Sequence, residues 1–214
     1  MNNRITKFLA ITLFLLNISL VAKGEAVDAV TGATPVKLKI EANVDKQLVL
    51  DVSYEENSVI RKAPLGLNVD HRLLGKDAQQ LSKEKKENNT LVYEFQQVDG
   101  SRFFLDARIF PDGIALRYRV PADGPVCIYG EETSFIFPSQ TKAWYASGPF
   151  QYGWLQEYQE RETDHIEGEL LAPPATFRLP NGIYAAITEA NLFNYHGAVL
   201  LGTAPNCVRF GYVE

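Results

Sequence analysis

At 214 residues, the chain is long enough for one large β domain, or two small ones, to bury a real core, and one domain is the simpler expectation. A net charge of −5 supplies no basic field for phosphate backbones, which argues against nucleic acid as a partner and disfavours anionic membrane surfaces.

Met1 to about Ala26 reads as a signal peptide. Arg4 and Lys7 precede an apolar run from Phe8 to Ala22, and the small residues Ala22, Gly24 and Ala26 suit cleavage. The run is short for a membrane span and is broken by Asn17 and Ser19, so residues 27–214 are expected as a periplasmic or secreted domain that has left the membrane. No cysteine lies near the cleavage region to take a lipid.

Strands are predicted over Val36–Ala42 and Gln47–Tyr54. The charged segment Lys83-Glu84-Lys85-Lys86-Glu87-Asn88-Asn89 reads as a solvated loop tip, and Leu91–Gln97 as the next strand. Phe103, Leu105, Ala107 and Ile109 then alternate with Arg102, Asp106 and Arg108, the period of a half-buried strand. Pro111-Asp112-Gly113 turns the chain, and Ile114, Leu116, Tyr118 and Val120 repeat the alternation against Ala115, Arg117 and Arg119. The pair is a hairpin with an apolar face and an arginine face.

Val126–Tyr129 and Ser134–Phe137 follow as short strands. From Trp144 and Tyr145 through Phe150, Tyr152, Trp154 and Tyr158 aromatic residues concentrate. Their flat faces suit the C–H faces of sugar rings, and core packing accounts for them equally well. Ala175–Ile187 reads as two strands around Pro180-Asn181-Gly182, which brings Glu189 near a strand end, as a solvated acid or as a ligand. Ala198–Thr203 and Cys207–Val213 complete the set. Many short strands punctuated by turn residues, with little helix, predict an antiparallel sandwich.

The chain holds two cysteines, Cys127 and Cys207. An export compartment would allow a bond between them, and the spacing leaves a bond and two separate thiols equally open. His71, His165 and His196 lack metal-ligand spacing, and neither a Gly-x-Ser-x-Gly elbow nor a phosphate-binding loop is present. Glycoside hydrolysis needs two carboxyls flanking one bond. Glu131-Glu132 and Glu167-Glu169 are the nearest pairs by sequence, and both read as solvated loop acids.

Taken in order, several stretches resemble the N-terminal domain of glycoside hydrolase family 97, a family of α-glucosidases and α-galactosidases. They are Leu50-Asp51-Val52-Ser53-Tyr54 followed by Ala63-Pro64-Leu65-Gly66-Leu67, the hairpin with its Asp112-Gly113-Ile114-Ala115-Leu116-Arg117-Tyr118 core, Glu132-Thr133-Ser134-Phe135, and Ala172-Pro173 leading into Ile187-Thr188-Glu189-Ala190-Asn191-Leu192. The resemblance implies an all-β fold, a large antiparallel β-sandwich (supersandwich) packed on a catalytic (β/α)8 barrel that acts on α-linked glucosides or galactosides. It also implies that the sandwich donates one calcium ligand, which by position is Glu189, the barrel supplying the rest, since calcium takes several oxygens. Family members are several times longer. The chain is therefore expected to stop before the barrel and before the sandwich's last strands, and to be inactive by itself. The alternatives are a free-standing carbohydrate-binding module using Trp144, Trp154 and Tyr158, and a structural sandwich without ligand.

Overall fold

The computed structural model describes residues 34–148, 157–190, 192 and 197–212, together with the backbone of residues 10–16. The strands are β1 (Ala10–Leu16), β2 (Val36–Ala42), β3 (Leu48–Tyr54), β4 (Asn57–Pro64), β5 (Leu67–Val69), β6 (Arg72–Leu74), β7 (Gln79–Lys86), β8 (Thr90–Gln96) and β9 (Arg102–Phe110). The second half adds β10 (Gly113–Arg119), β11 (Ile128–Glu131), β12 (Ser134–Ile136), β13 (Lys142–Ser147), β14 (Tyr158–Glu162), β15 (Leu170–Arg178), β16 (Tyr184–Ala190), β17 (Val199–Ala204) and β18 (Cys207–Gly211). A single 3-10 turn at Thr163–His165 is the one helical element among the described residues.

The strands form a 12-stranded sheet, ordered β12-β18-β17-β15-β16-β1-β10-β9-β8-β7 with β13 and β14 branching from β15, and two 3-stranded sheets, β11-β5-β6 and β2-β3-β4. All the pairings are antiparallel. The predicted hairpin forms, with Ile114 opposite Ile109, Leu116 opposite Ala107 and Tyr118 opposite Leu105. Those residues are buried, with Tyr93 and Phe95 of β8 and Ala185 and Ile187 of β16, in one core that also takes Val36, Leu50, Val52 and Ile60 from the small sheet. Fully burying a side chain such as Leu105 or Ile60 contributes on the order of 1.5–3 kcal/mol.

On the arginine face of the hairpin, Asp106 is 6 % exposed. Its carboxylate accepts from Arg117 and Arg119, and the Arg119 guanidinium also lies 4.5 Å over the Phe104 ring. Burial works against the charged carboxylate, but the hydrogen bonds and charges of Arg119 and Arg117 outweigh it, and the Asp106 pKa falls below the ordinary value.

One sequence expectation is corrected. Lys83 to Lys86 are part of strand β7, not a loop tip; only Glu87, Asn88 and Asn89 lie in the turn, where Asn88 and Asn89 adopt left-handed φ of 56° and 53°. Asparagine tolerates that backbone better than most residues, and the Thr90 N–H closes the turn on the Glu87 carbonyl. β7 is the outer strand of the sheet, and its charges blunt an edge that would otherwise recruit another strand. β4 escapes the alternation test because its buried and exposed residues do not alternate, and β5 and β6 because they are only three residues each. In addition, Ala10–Leu16, from the segment read as a leader, pairs centrally in the sheet.

Candidate functional site

Strand alternation puts Glu189 on the inward side of β16, with Ala185 and Ile187, at the place where the strand ends. Its Oε2 accepts from the Ala198 backbone N–H at 2.8 Å, and its Oε1 is buried without a partner. Burial raises its pKa and the Ala198 hydrogen bond partly offsets this.

A second carboxyl shares this interior. Glu131, at the end of β11, is 2 % exposed, and its Oε1 also lacks a partner. Tyr212 donates to its Oε2 at 3.4 Å, and next to it Thr133 Oγ1 lies 2.9 Å from the Tyr118 hydroxyl. Burial pushes the Glu131 pKa up to about 8; the Glu189 charge adds to the rise, while hydrogen bonds to Thr133 and Tyr212 oppose it. The reading of Glu131 as a solvated loop acid is therefore wrong. A local pattern of Tyr-Gly-Glu-Glu contains no sign that the first of the two glutamates will be enclosed when the sheets pack. Glu132 is the solvated partner, paired with Arg209 at 2.7 Å.

Glu167 is exposed, and Glu169 is half-buried, accepting from Ser147 and paired with Arg161. Neither forms a carboxyl pair suited to bond cleavage. Among the described residues no group of three or more His, Cys, Asp or Glu side chains comes together. What the geometry offers is two interior carboxyls, Glu189 near the end of β16 and Glu131 at the end of β11, each with one buried oxygen without a partner.

The aromatic segment divides. Trp154 lies outside the described residues, as do Phe150 and Tyr152. Trp144 and Tyr158 stand on neighbouring strands, where Trp144 pairs with Glu160 and Ala146 with Tyr158, so both point to the same face. Tyr158 is 63 % exposed. Trp144 is half-buried; Arg178 lies 5.8 Å over its ring and the Tyr184 ring 6.4 Å away, a cation–π contact that already engages one face. Cys127 and Cys207 are free thiols, exposed and half-buried respectively, with Cys207 Sγ 3.3 Å from the Thr203 hydroxyl. Sequence reasoning also missed His71 stacked on Tyr129, with ring centroids 3.8 Å apart.

The family model described as the glycosyl hydrolase 97 N-terminal domain matches residues 33–209. The chain belongs to this family. A probable retaining α-galactosidase of Streptomyces bingchenggensis (strain BCW-1) is 27% identical over 184 residues, spanning 77% of this chain and 28% of that protein. Among solved structures, a β-arabinopyranosidase superposes with a TM-score of 0.69 at 19% identity, covering 82% of this chain and 33% of its own. A family 97 enzyme from Pseudoalteromonas sp. strain K8, solved with panose, superposes with a TM-score of 0.67 at 19% identity, covering 83% of this chain and 30% of its own. The two solved structures share the fold of this chain, which spans from 28% to 33% of the length of these three proteins.

Proposed function

We propose that this family 97 domain is the non-catalytic brace of a glycoside hydrolase that acts on α-linked glucosides or galactosides, and that Glu189 is its contribution to a calcium ion shared with the catalytic barrel. The observation that carries the reading is the Glu189 carboxylate at the end of β16, with one oxygen anchored by Ala198 and the other buried and unpartnered. A hard cation takes six to eight or so oxygens. One carboxylate from the sandwich therefore fits such an ion only as part of a set completed from elsewhere. The Ala198 hydrogen bond fixes the rotamer, and water is excluded from the free oxygen, so Glu189 presents a directed charge. When bound, calcium would act as a Lewis acid and a template for the sugar. The basic and apolar residues before Ala26 support an exported enzyme.

The test is a fusion of this chain to a family 97 barrel. Glu189→Gln removes an anionic ligand at constant size, and it should raise the calcium concentration needed for activity while leaving thermal unfolding nearly unchanged. An unchanged calcium requirement, or outright unfolding, would make Glu189 a structural acid. A second reading, a carbohydrate-binding face, is favoured by the exposure of Tyr158 beside Trp144 on one face of β13 and β14; Trp154 would belong to it. Loss of oligosaccharide binding in Tyr158→Ala, with calcium dependence intact, separates the two.

A further inference from the structure

Valine is out of place at the tip of a hairpin, where polar and turn-forming residues are the rule. Val44, between β2 and β3, is 97 % exposed, and Val98, between β8 and β9, is 87 % exposed. One solvent-facing valine is ordinary. These two belong to turns tied to the same connection, residues 73–77 between β6 and β7. Gln97 Nε2 donates to the carbonyls of Leu73 and Lys76 at 2.9 and 3.2 Å, the Asp77 N–H donates to the Lys46 carbonyl at 2.8 Å, and the Lys76 ammonium donates to the Asp45 carbonyl. Both turns are also closed from inside: Asn43 Oδ1 accepts from the N–H groups of Asp45 and Gln47, and Asp99 Oδ1 from that of Ser101. The valines are therefore held on preorganised supports, with the exposed charges of Asp45, Lys46, Asp77 and Asp99 beside them. Apolar anchors inside a charged rim are the make-up of a protein–protein contact.

The sheet registers put both turns at the end of the domain that holds Glu189. Glu189 stands opposite Ile11, Ile11 opposite Leu116, Leu116 opposite Ala107 and Ala107 opposite Leu91. β16, β10 and β8 therefore run in the same direction, and the turn after Gln96 leaves the sheet at the end where β16 stops at Ala190. A second route runs through the small sheet. Glu131 is level with Leu67 and Leu67 with Leu74, two strand spacings or roughly 9.6 Å across, and Leu74 leads directly into Gly75 and Lys76, the connection that both turns grip. β18 carries the chain to this end as well, with Gly211 opposite Val199 and the Tyr212 hydroxyl on Glu131.

We propose that this end of the sandwich is the surface on which the catalytic barrel of a family 97 enzyme docks, and that Val44 and Val98 are its apolar anchors. This docking rests on the brace reading above and adds the surface that does the bracing. The occupant follows from size: the chain matches the family's N-terminal model and spans from 28% to 33% of the length of the three relatives, so most of such an enzyme lies outside the sandwich. Glu189 can share an ion with that part only where the two meet. Seating the two tips against the barrel fixes the direction from which Glu189 reaches it.

The experiment compares the full chain with its fusion to a family 97 barrel. Amide exchange at residues 43–47 and 97–101 should slow about tenfold in the fusion, because contact with the barrel excludes water from those turns. The turn at residues 87–89, at the opposite end of β8, should exchange equally in both. Val44→Asp with Val98→Asp should leave the urea midpoint of the chain alone unchanged, since neither valine is buried, yet restore fast exchange at both turns in the fusion. Turns that exchange equally fast in chain and fusion would overturn the docking surface, and a calcium requirement still raised by Glu189→Gln would leave the calcium reading standing. Protected turns with an unchanged calcium requirement in Glu189→Gln would uphold the docking surface and remove the calcium reading. Protection that persists in the double variant would overturn the valines as anchors. Protection that appears in the chain alone and grows with its concentration would assign the surface to a second copy and overturn the barrel as its occupant.

Discussion

Replacing Glu131 with glutamine tests the interior carboxyl pair through the pH dependence of stability. In the unfolded chain Glu131 loses its proton near the ordinary 4.5, whereas in the fold burial delays this to about 8. Between those two values the folded state holds one proton more than the unfolded state, so stability falls as pH rises. Each tenfold change in proton affinity corresponds to about 1.4 kcal/mol, so the full interval is worth up to roughly 5 kcal/mol, a large share of the 5–15 kcal/mol typical of a domain. Glu131→Gln keeps the shape and an acceptor for Tyr212 without the titration. The two proteins should be nearly equally stable at pH 4.5, and the glutamine variant should gain progressively up to about pH 8. Urea unfolding at half-unit pH steps measures this directly. Parallel stability curves across the interval would refute the argument and mean that Glu131 is hydrated or paired in solution.

Asp106→Asn should cost about 1.5–3 kcal/mol at neutral pH, because Arg117 and Arg119 lose a shared charged acceptor and both are partly solvated. Since the folded pKa of Asp106 is depressed, this stabilisation is present above the unfolded value and lost as pH falls through the folded one, so the variant should have a flatter acid limb in thermal melts. Gly202→Ala would place a Cβ 1.8 Å from the Ile166 carbonyl oxygen, backbone that must move; denaturant titration should show a loss at or above the ~1–3 kcal/mol typical of overpacking. The purified chain should not cleave nitrophenyl α-glucoside or α-galactoside, and turnover that survives repurification would show that a carboxyl pair had been overlooked.

The alternation of residues 102–120 by itself determined a hairpin and its two faces, because a side-chain period of two puts Phe103, Leu105, Ile114 and Leu116 on the buried side, while the turn sets the register. The ordered stretches through Ile187-Thr188-Glu189 likewise carried the family, and the strand end at Ala190 put Glu189 where it is found. Three features were invisible there. The charge run at Lys83 became an edge strand because its ladder with β8 satisfies the backbone whatever the side chains are. Glu131 became interior because segments far apart in sequence, carrying Tyr212 and Glu189, gather around it, and solvent exclusion is a property of the assembled surfaces. The place of Ala10–Leu16 between β10 and β16 was decided by two rims that are 68 residues apart by their paired ends, Leu116 and Tyr184, and meet only when the sheet is built. Local patterning fixes which side of a strand is apolar; only the tertiary structure decides which strands become neighbours and which polar groups they enclose.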